Sequence, residues 1–306
     1  YRKLILQRVA PAELSQFHNS LNIILEIYTT LSGDKRINEH IKCPNLSKNC
    51  KDLMKILNDN LLLKEASEIG TVKFDVNIFK RGIFTELDVI EKSYEESKDE
   101  LECLRLYMER FIIKYKGKRT NRMIKYHETD KNGLFLSITG NRSKILKEEL
   151  KKKGESEVKS IKYISSYNNE ERTISFNPYN VQYVKHTKSN FRLDSIELNT
   201  LYHSIFNKKE SLKDELSDVY KNFIISLEEY SGQIETIVQY ITELDMIITK
   251  AYLATKFNYC MPVIDDTVSE SFVNAKEMRH ILIENLQEDE LYVPNDIELG
   301  KGTAQN

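Results

Sequence analysis

Between positions 212 and 251 apolar residues return every three or four places without a gap: Leu212, Leu216, Val219, Phe223, Leu227, Tyr230, Ile234, Ile237, Ile241, Leu244, Ile248 and Ala251. Only an α-helix gathers such a set onto one side. The spacing predicts one helical rod over about 211–258, on the order of 65 Å long at 1.5 Å per residue, with Gly232 as its single weak point. A second long helix is predicted over 84–115, where Leu87, Ile90, Tyr94, Leu101, Leu104, Met108, Phe111 and Tyr115 keep the same spacing and Thr85 and Asp88 suit the first turn.

The period changes between these helices. "RMIKYHE", "GLFLSIT", "VKSIKYISS", "RTISF" and "NVQYVKH" are short and rich in β-branched and aromatic residues, which predicts strands. In the second of them Leu134, Leu136 and Ile138 alternate with Phe135, Ser137 and Thr139, and Asn132-Gly133 marks a hairpin before it. A small β-rich module therefore sits between an outgoing and a returning helix. The first 80 residues read as shorter helices, "PAELSQFHNSLNIILEIYTTL" and "NCKDLMKILNDNLLL" among them, whose apolar stripes are ordinary core. Near the end, apolar runs at 281–283 and 291–293 around an acidic turn predict two strands.

Composition agrees with a helix-rich chain: 306 residues hold only 10 Gly and 5 Pro, with 30% charged and 40% hydrophobic residues. No apolar run reaches the roughly 18 residues of a membrane span, and "YRKLILQRVA" lacks a signal-peptide layout. An intracellular location, in cytoplasm, nucleus or an organelle, is expected. The chain opens inside an amphipathic pattern, so it is expected to be a piece of a longer protein. Cys43, Cys50, Cys103 and Cys260 are expected to be free thiols, Cys103 and Cys260 in apolar helical settings and Cys43 and Cys50 in a loop.

The formal net charge of −2 conceals a strong asymmetry. From 111 to 209 there are 21 Lys and Arg against 10 Asp and Glu, a balance of +11, which leaves 24 against 37, or −13, elsewhere. A basic module in an acidic frame suits a polyanion such as the nucleic-acid backbone. By charge alone, a solvated lysine-rich face accounts for the pattern equally well.

The order of parts and several local motifs resemble the DNA mismatch-recognition family MutS. "ELDMIITKAYLATKFNYCMPVIDD" is similar to that family's "ELD" turn and "Y-x-x-P" approach to its ATPase domain; "AKEMRHILIE" resembles "G-R-H-P-x-x-E", and "YVPNDIEL" resembles "F-V-P-N-D-x-x-L". Glu277 stands where that pattern has Gly, and Ile281 where it has Pro, which marks a divergent branch.

The resemblance implies a mainly α fold with a β-rich insertion: a helical core part (1–83), an outgoing lever helix (84–116), a basic β-rich clamp (117–209), a returning lever helix (210–258) and the start of an α/β ATPase domain (259–306). It implies double-stranded DNA as partner and a homodimer or family heterodimer, with no membrane. "YVKHTKSNF" resembles the stretch lying along the DNA backbone, with Lys185 and Asn190 at phosphate-contacting positions and Thr187 and Lys188 beside them. Arg119, Arg122 and Lys125, at the start of the first clamp strand, are further backbone candidates. Tyr292 falls at an adenine-stacking aromatic, with Arg279 and His280 at a turn near the nucleotide.

ATP and Mg²⁺ are thus expected for the whole protein. The phosphate-cradling G-x-x-x-x-G-K-[S/T] pattern is absent from these 306 residues, so neither ATP turnover nor a catalytic residue is expected within them. A structural coiled-coil protein with a hinge module, tethering or dimerising, is the rival reading; it leaves the residues after 258 unexplained. A stand-alone hydrolase lacks any nucleophile, paired-carboxylate or metal-ligand constellation.

Overall fold

The fold is described here from a computed structural model, which covers residues 2–36, 41, 43–116, 122–129, 133–153, 158–267, 271–286 and 291–300. It divides into two units, 1–244 and 245–306, with the boundary inside a helix. The described residues are mainly α-helical with small antiparallel sheets. None of their helices is long and apolar enough to cross a membrane.

In the first unit, α1 (Arg2–Ile5), α2 (Pro11–Leu31), α3 (Leu46–Asn60) and α4 (Leu63–Ser67) precede the long α5 (Thr85–Lys116). Asp88 accepts the Gly82 N–H at 2.7 Å, which fixes how the chain turns into α5. After the β region come α7 (Ile196–Ser226), a 3₁₀ turn (Leu227–Tyr230) and α8 (Ser231–Phe257). The predicted single rod is therefore interrupted. The Leu227 N–H is shared between Ile225 O and Phe223 O, which tightens the turn. Four residues at about 120° instead of about 100° rotate the helix beyond by roughly 80°. Beyond the turn Ile234, Ile237 and Leu244 of the predicted stripe are buried together with Tyr240, Ile241 is half-buried, and Ile248 and Ala251 are exposed.

Two separate hydrophobic clusters result. The first joins α2, α3 and α4 to Leu212, Leu216, Val219, Tyr220, Phe223 and the buried face of α8. Phe79 wedges into it against Phe84, Tyr220 and Phe223, and the Tyr220 hydroxyl donates to Val9 O at 2.8 Å. The second cluster joins Leu101 to Ile112 of α5, the β module and Leu198 to Ile205 of α7. Between the clusters, Lys208 Nζ of α7 donates to Ser93 O and Ser97 Oγ of α5, at 3.0 and 2.7 Å.

The β module contains β1 (Lys125–Thr129), β2 (Gly133–Thr139), α6 (Gly140–Lys153), β3 (Lys159–Ile164), β4 (Glu171–Phe176), β5 (Gln182–Lys185) and β6 (Asn190–Asp194). β1, β2, β6 and β5, in that order, make an antiparallel sheet; β3 and β4 form a separate hairpin. Contrary to the alternation predicted for β2, Phe135 is as buried as Leu136 and Ile138, because both faces of the sheet are covered. Gly133, at φ +63°, lies so close to α7 that a β-carbon there would stand 2.9 Å from Phe206. The β3–β4 hairpin lies back along α5: Tyr163 donates to Glu100, Ser166 N and Oγ to Asp99, and Arg172 pairs with Glu96.

The second unit contains β7 (Val273–Met278), α9 (Ile281–Leu286) and β8 (Asn295–Leu299), with β7 and β8 paired antiparallel. The two predicted strands are thus misplaced by one element each. Residues 281–283 are helical because His280 Nδ1 accepts the Ile283 N–H and starts α9. Residues 291–293 stop short of the ladder because Pro294 has no N–H to give it. None of the described residues from 245 on is buried, as expected where two strands alone must cover an apolar surface.

The cysteines also differ from expectation. Cys50 lies in α3 and is fully buried, which pushes its thiol up to about 11, and Cys260 is exposed beyond the end of α8. All four are free, and among the described residues no group of three or more His, Cys, Asp or Glu could hold a metal.

Candidate nucleic-acid interface

β5 and β6 are joined by a hairpin whose closure explains the placement of the "KHTKSN" side chains. His186 N and Thr187 N both donate to Asn190 O at 3.0 and 3.1 Å, and Thr187 Oγ1 accepts the Asn190 N–H at 3.1 Å. The turn is thereby set by Thr187 and Asn190. Lys185, Thr187 and Lys188 are left exposed around it, with Asn190 half-buried.

Strand register brings the other candidates to the same end of the sheet. Lys125 lies opposite Ser137, Ser137 opposite Arg192, and Arg192 opposite Val184, so the start of β1 is level with the end of β5. Arg122 and Lys125, both exposed, occupy that end at the β1 edge, and the hairpin occupies it at the β5 edge. Arg119 lies outside the described residues.

The start of β1 is held by a buried ionic network that the sequence reading missed. Arg105 is 3% exposed and pairs with Glu109, 7% exposed, at 2.8 Å. The Glu109 carboxylate also accepts the N–H groups of Met123 and Ile124, at 2.5 and 2.8 Å. Arg105 reaches Glu102 through two further bonds of 2.6 Å, and the Tyr126 hydroxyl donates to Glu102 at 2.5 Å. Burial raises the Glu102 carboxyl's pKa, but the bonds from Arg105 and Tyr126 outweigh it and hold the group below the usual carboxylate value. The available signal was Glu102, Arg105 and Glu109 at helical spacing alongside Leu101, Leu104 and Met108.

A second device holds the hairpin to the sheet. Phe135 is fully buried beneath His127 and His186, each ring centred 5.1 Å from it, and beneath the Arg192 guanidinium at 5.2 Å. Strand β6 itself, which carries Arg192, was not predicted; its signal was the alternation of Phe191 and Leu193 with Asn190, Arg192 and Asp194. Helix α6 was likewise missed.

In the second unit the three nucleotide-side candidates converge. The Tyr292 hydroxyl accepts the His280 N–H at 2.8 Å, and both residues line an open cavity of roughly 420 Å³ with Met278, Leu282 and Ile297. Arg279 is fully engaged: it pairs with Glu284 at 3.1 Å and donates to Phe257 O and Asn258 O at 2.8 and 3.0 Å. Among the described residues of this unit nothing cradles phosphate or Mg²⁺.

Glu277 occupies a left-handed conformation, φ +53°, at a bulge between Ala275 and Met278, where its N–H bonds Asp296 Oδ1 at 2.7 Å. An L side chain there costs about 1 kcal/mol. Glu277→Gly is expected to stabilise the β7–β8 pair by about that amount, read as slower amide exchange of Ala275 and Ile297. Unchanged or faster exchange refutes it.

Fold and site together define a helical protein with a small, cation-bearing β module built onto two long antiparallel helices. The chain matches no protein-family model. It is 24% identical over 308 residues to a DNA mismatch repair mutS homologue of Acanthamoeba polyphaga mimivirus, covering 98% of this chain and 26% of that protein. It is also 24% identical over 323 residues to the DNA mismatch repair protein MutS of Clostridioides difficile, covering 98% and 27%, and 29% identical over 122 residues to MSH3 of Candida glabrata, covering 40% and 12%. The chain thus spans about a quarter of the length of the first two relatives. All three relatives are MutS or MSH proteins, and their likeness to this chain supports a divergent member of the MutS family.

Proposed function

We propose that this chain is the DNA-binding lever and clamp portion of a MutS-like protein, which holds duplex DNA and couples it to an ATPase domain in mismatch repair or a related DNA-maintenance process. In this reading residues 84–116 and 210–258 are the levers, 117–209 the clamp, 1–83 part of the helical core and 259–306 the start of the ATPase domain. The whole protein works as a homodimer or family heterodimer with ATP and Mg²⁺, the adenine resting on Tyr292 with Arg279 and His280 framing that turn.

The observation that carries this reading is the gathering of Arg122, Lys125, Lys185 and Lys188 at one end of the four-stranded sheet, exposed and without an ion pair among the described residues. Such cations displace counterions from phosphates without reading bases. The names of the relatives support the same partner.

The chain is expected to bind a duplex oligonucleotide without sequence preference, its affinity falling steeply from low to physiological salt. Lys185→Ala together with Lys188→Ala is expected to reduce the slope of log affinity against log salt by about 2, near 0.9 per phosphate contact. Binding indifferent to salt, or absent in dilute buffer, overturns the reading.

A further inference from the structure

We infer that helix α6 carries a second row of phosphate contacts, Lys144, Lys147 and Lys151, which extends the duplex-DNA interface from the β5–β6 hairpin along the β5 edge of the sheet. This rests on the DNA-binding reading above.

α6 packs against α5 and against β2 and β6 of the sheet, with Ser143, Leu146 and Leu150 its buried positions. At 100° per residue, Lys144, Lys147 and Lys151 fall within about 60° of one another on one flank of the helix. Position decides which flank. The Lys147 ammonium sits 4.3 Å from the centre of the Tyr183 ring, and Tyr183 belongs to β5. Arg142, on the opposite flank, instead reaches Met123 O at 3.0 Å beside β1. The lysine flank therefore overhangs the β5 edge.

The row is continuous with the hairpin. Gly140, which begins α6, donates its N–H to Ser189 O of the hairpin at 3.0 Å, and two turns on Lys147 lies over Tyr183 of β5. Tyr183 and Lys185 share a face of β5 by strand alternation, so Lys147 and Lys185 stand on the same side of the sheet. From Lys144 to Lys151 the helix rises about 10 Å, room for about three phosphates of one strand at 3.4 Å of axis each.

Away from this flank and the hairpin end of the sheet, several cations of the module are neutralised: Lys152 pairs with Glu149, Lys162 with Glu171, Arg172 with Glu96 and Lys209 with Glu128. Along this flank it does not. Lys144, Lys147 and Lys151 are exposed and have no ion pair among the described residues, although Glu148 lies within one turn of all three. Three unpaired ammonium groups in a row repel one another and gain from an external polyanion.

The test compares the whole chain with two variants, measuring affinity for a duplex oligonucleotide across a salt series. The triple change Lys144→Gln, Lys147→Gln, Lys151→Gln is expected to lower the log–log salt slope by 2 to 3, whereas Lys152→Gln, on the ion-paired flank, leaves it within error. All four side chains are exposed, so circular dichroism is expected to be unaltered. A triple variant with the parental slope overturns the inference, and if Lys185→Ala with Lys188→Ala still lowers the slope, the DNA-binding reading stands without it. No duplex binding by the unaltered chain overturns both.

Discussion

Glu109→Ala is expected to destabilise the β module by about 3–5 kcal/mol, the largest single-residue effect in the first unit. The carboxylate neutralises Arg105, which is 3% exposed, and accepts two backbone N–H groups at the start of β1. Removing one member of a buried pair leaves a charge uncompensated, at about 3–5 kcal/mol, and each orphaned donor adds to the cost. Glu102 cannot substitute, because it is held by Arg105 and the Tyr126 hydroxyl. Arg122 and Lys125 would then be carried on a loosened strand. The measurement is amide exchange of Met123 and Ile124 together with chemical denaturation. Glu109→Gln keeps an acceptor oxygen and is expected to lose less. A loss below 1 kcal/mol for Glu109→Ala would show that water replaces the carboxylate and that the network does not fix β1.

Ile237→Pro is expected to separate the two hydrophobic clusters. Proline in a helix interior removes a backbone donor and costs about 3 kcal/mol or more, and Ile237 is also buried, at 3% exposure, in the cluster shared with α2 and α3. The second cluster, from Leu101 to Ile205, has no residue in α8. Unfolding of the variant should become biphasic, the first cluster melting early, while duplex binding by the β module persists. A single cooperative transition that takes DNA binding with it would mean that the clusters fold as one. In a whole protein that hydrolyses ATP, the same break in α8 is expected to abolish the effect of ATP on DNA binding and to leave nucleotide affinity nearly intact. An undiminished ATP response in a protein whose helix is demonstrably broken excludes the helix as the route.

What could be read from the chain alone was whatever repeats locally. Three-four spacing located α5 and the helical stretch through α7 and α8, and short runs rich in β-branched and aromatic residues located β1 to β5, the bounds of β2 residue for residue. The charge asymmetry pointed to the β module before any strand was paired. Periodicity is written in adjacent residues, so it survives without a partner surface. Tertiary structure decided the rest. The 3₁₀ turn over Leu227–Tyr230 left no mark in the three-four spacing, and beyond it Tyr240 is buried although the stripe omitted it, while Ile248, which the stripe included, is exposed. The assignment of 281–283 to a helix turned on His280 and that of 291–293 on Pro294, single residues that outweigh an apolar run. Which lysines are free was also invisible in the sequence: Lys147 and Lys152 look alike there, and only packing of Leu146 and Leu150 turns one toward β5 and leaves the other beside Glu149. A cation's availability depends on what folding brings within about 4 Å of it, and neighbours distant in sequence are set by packing.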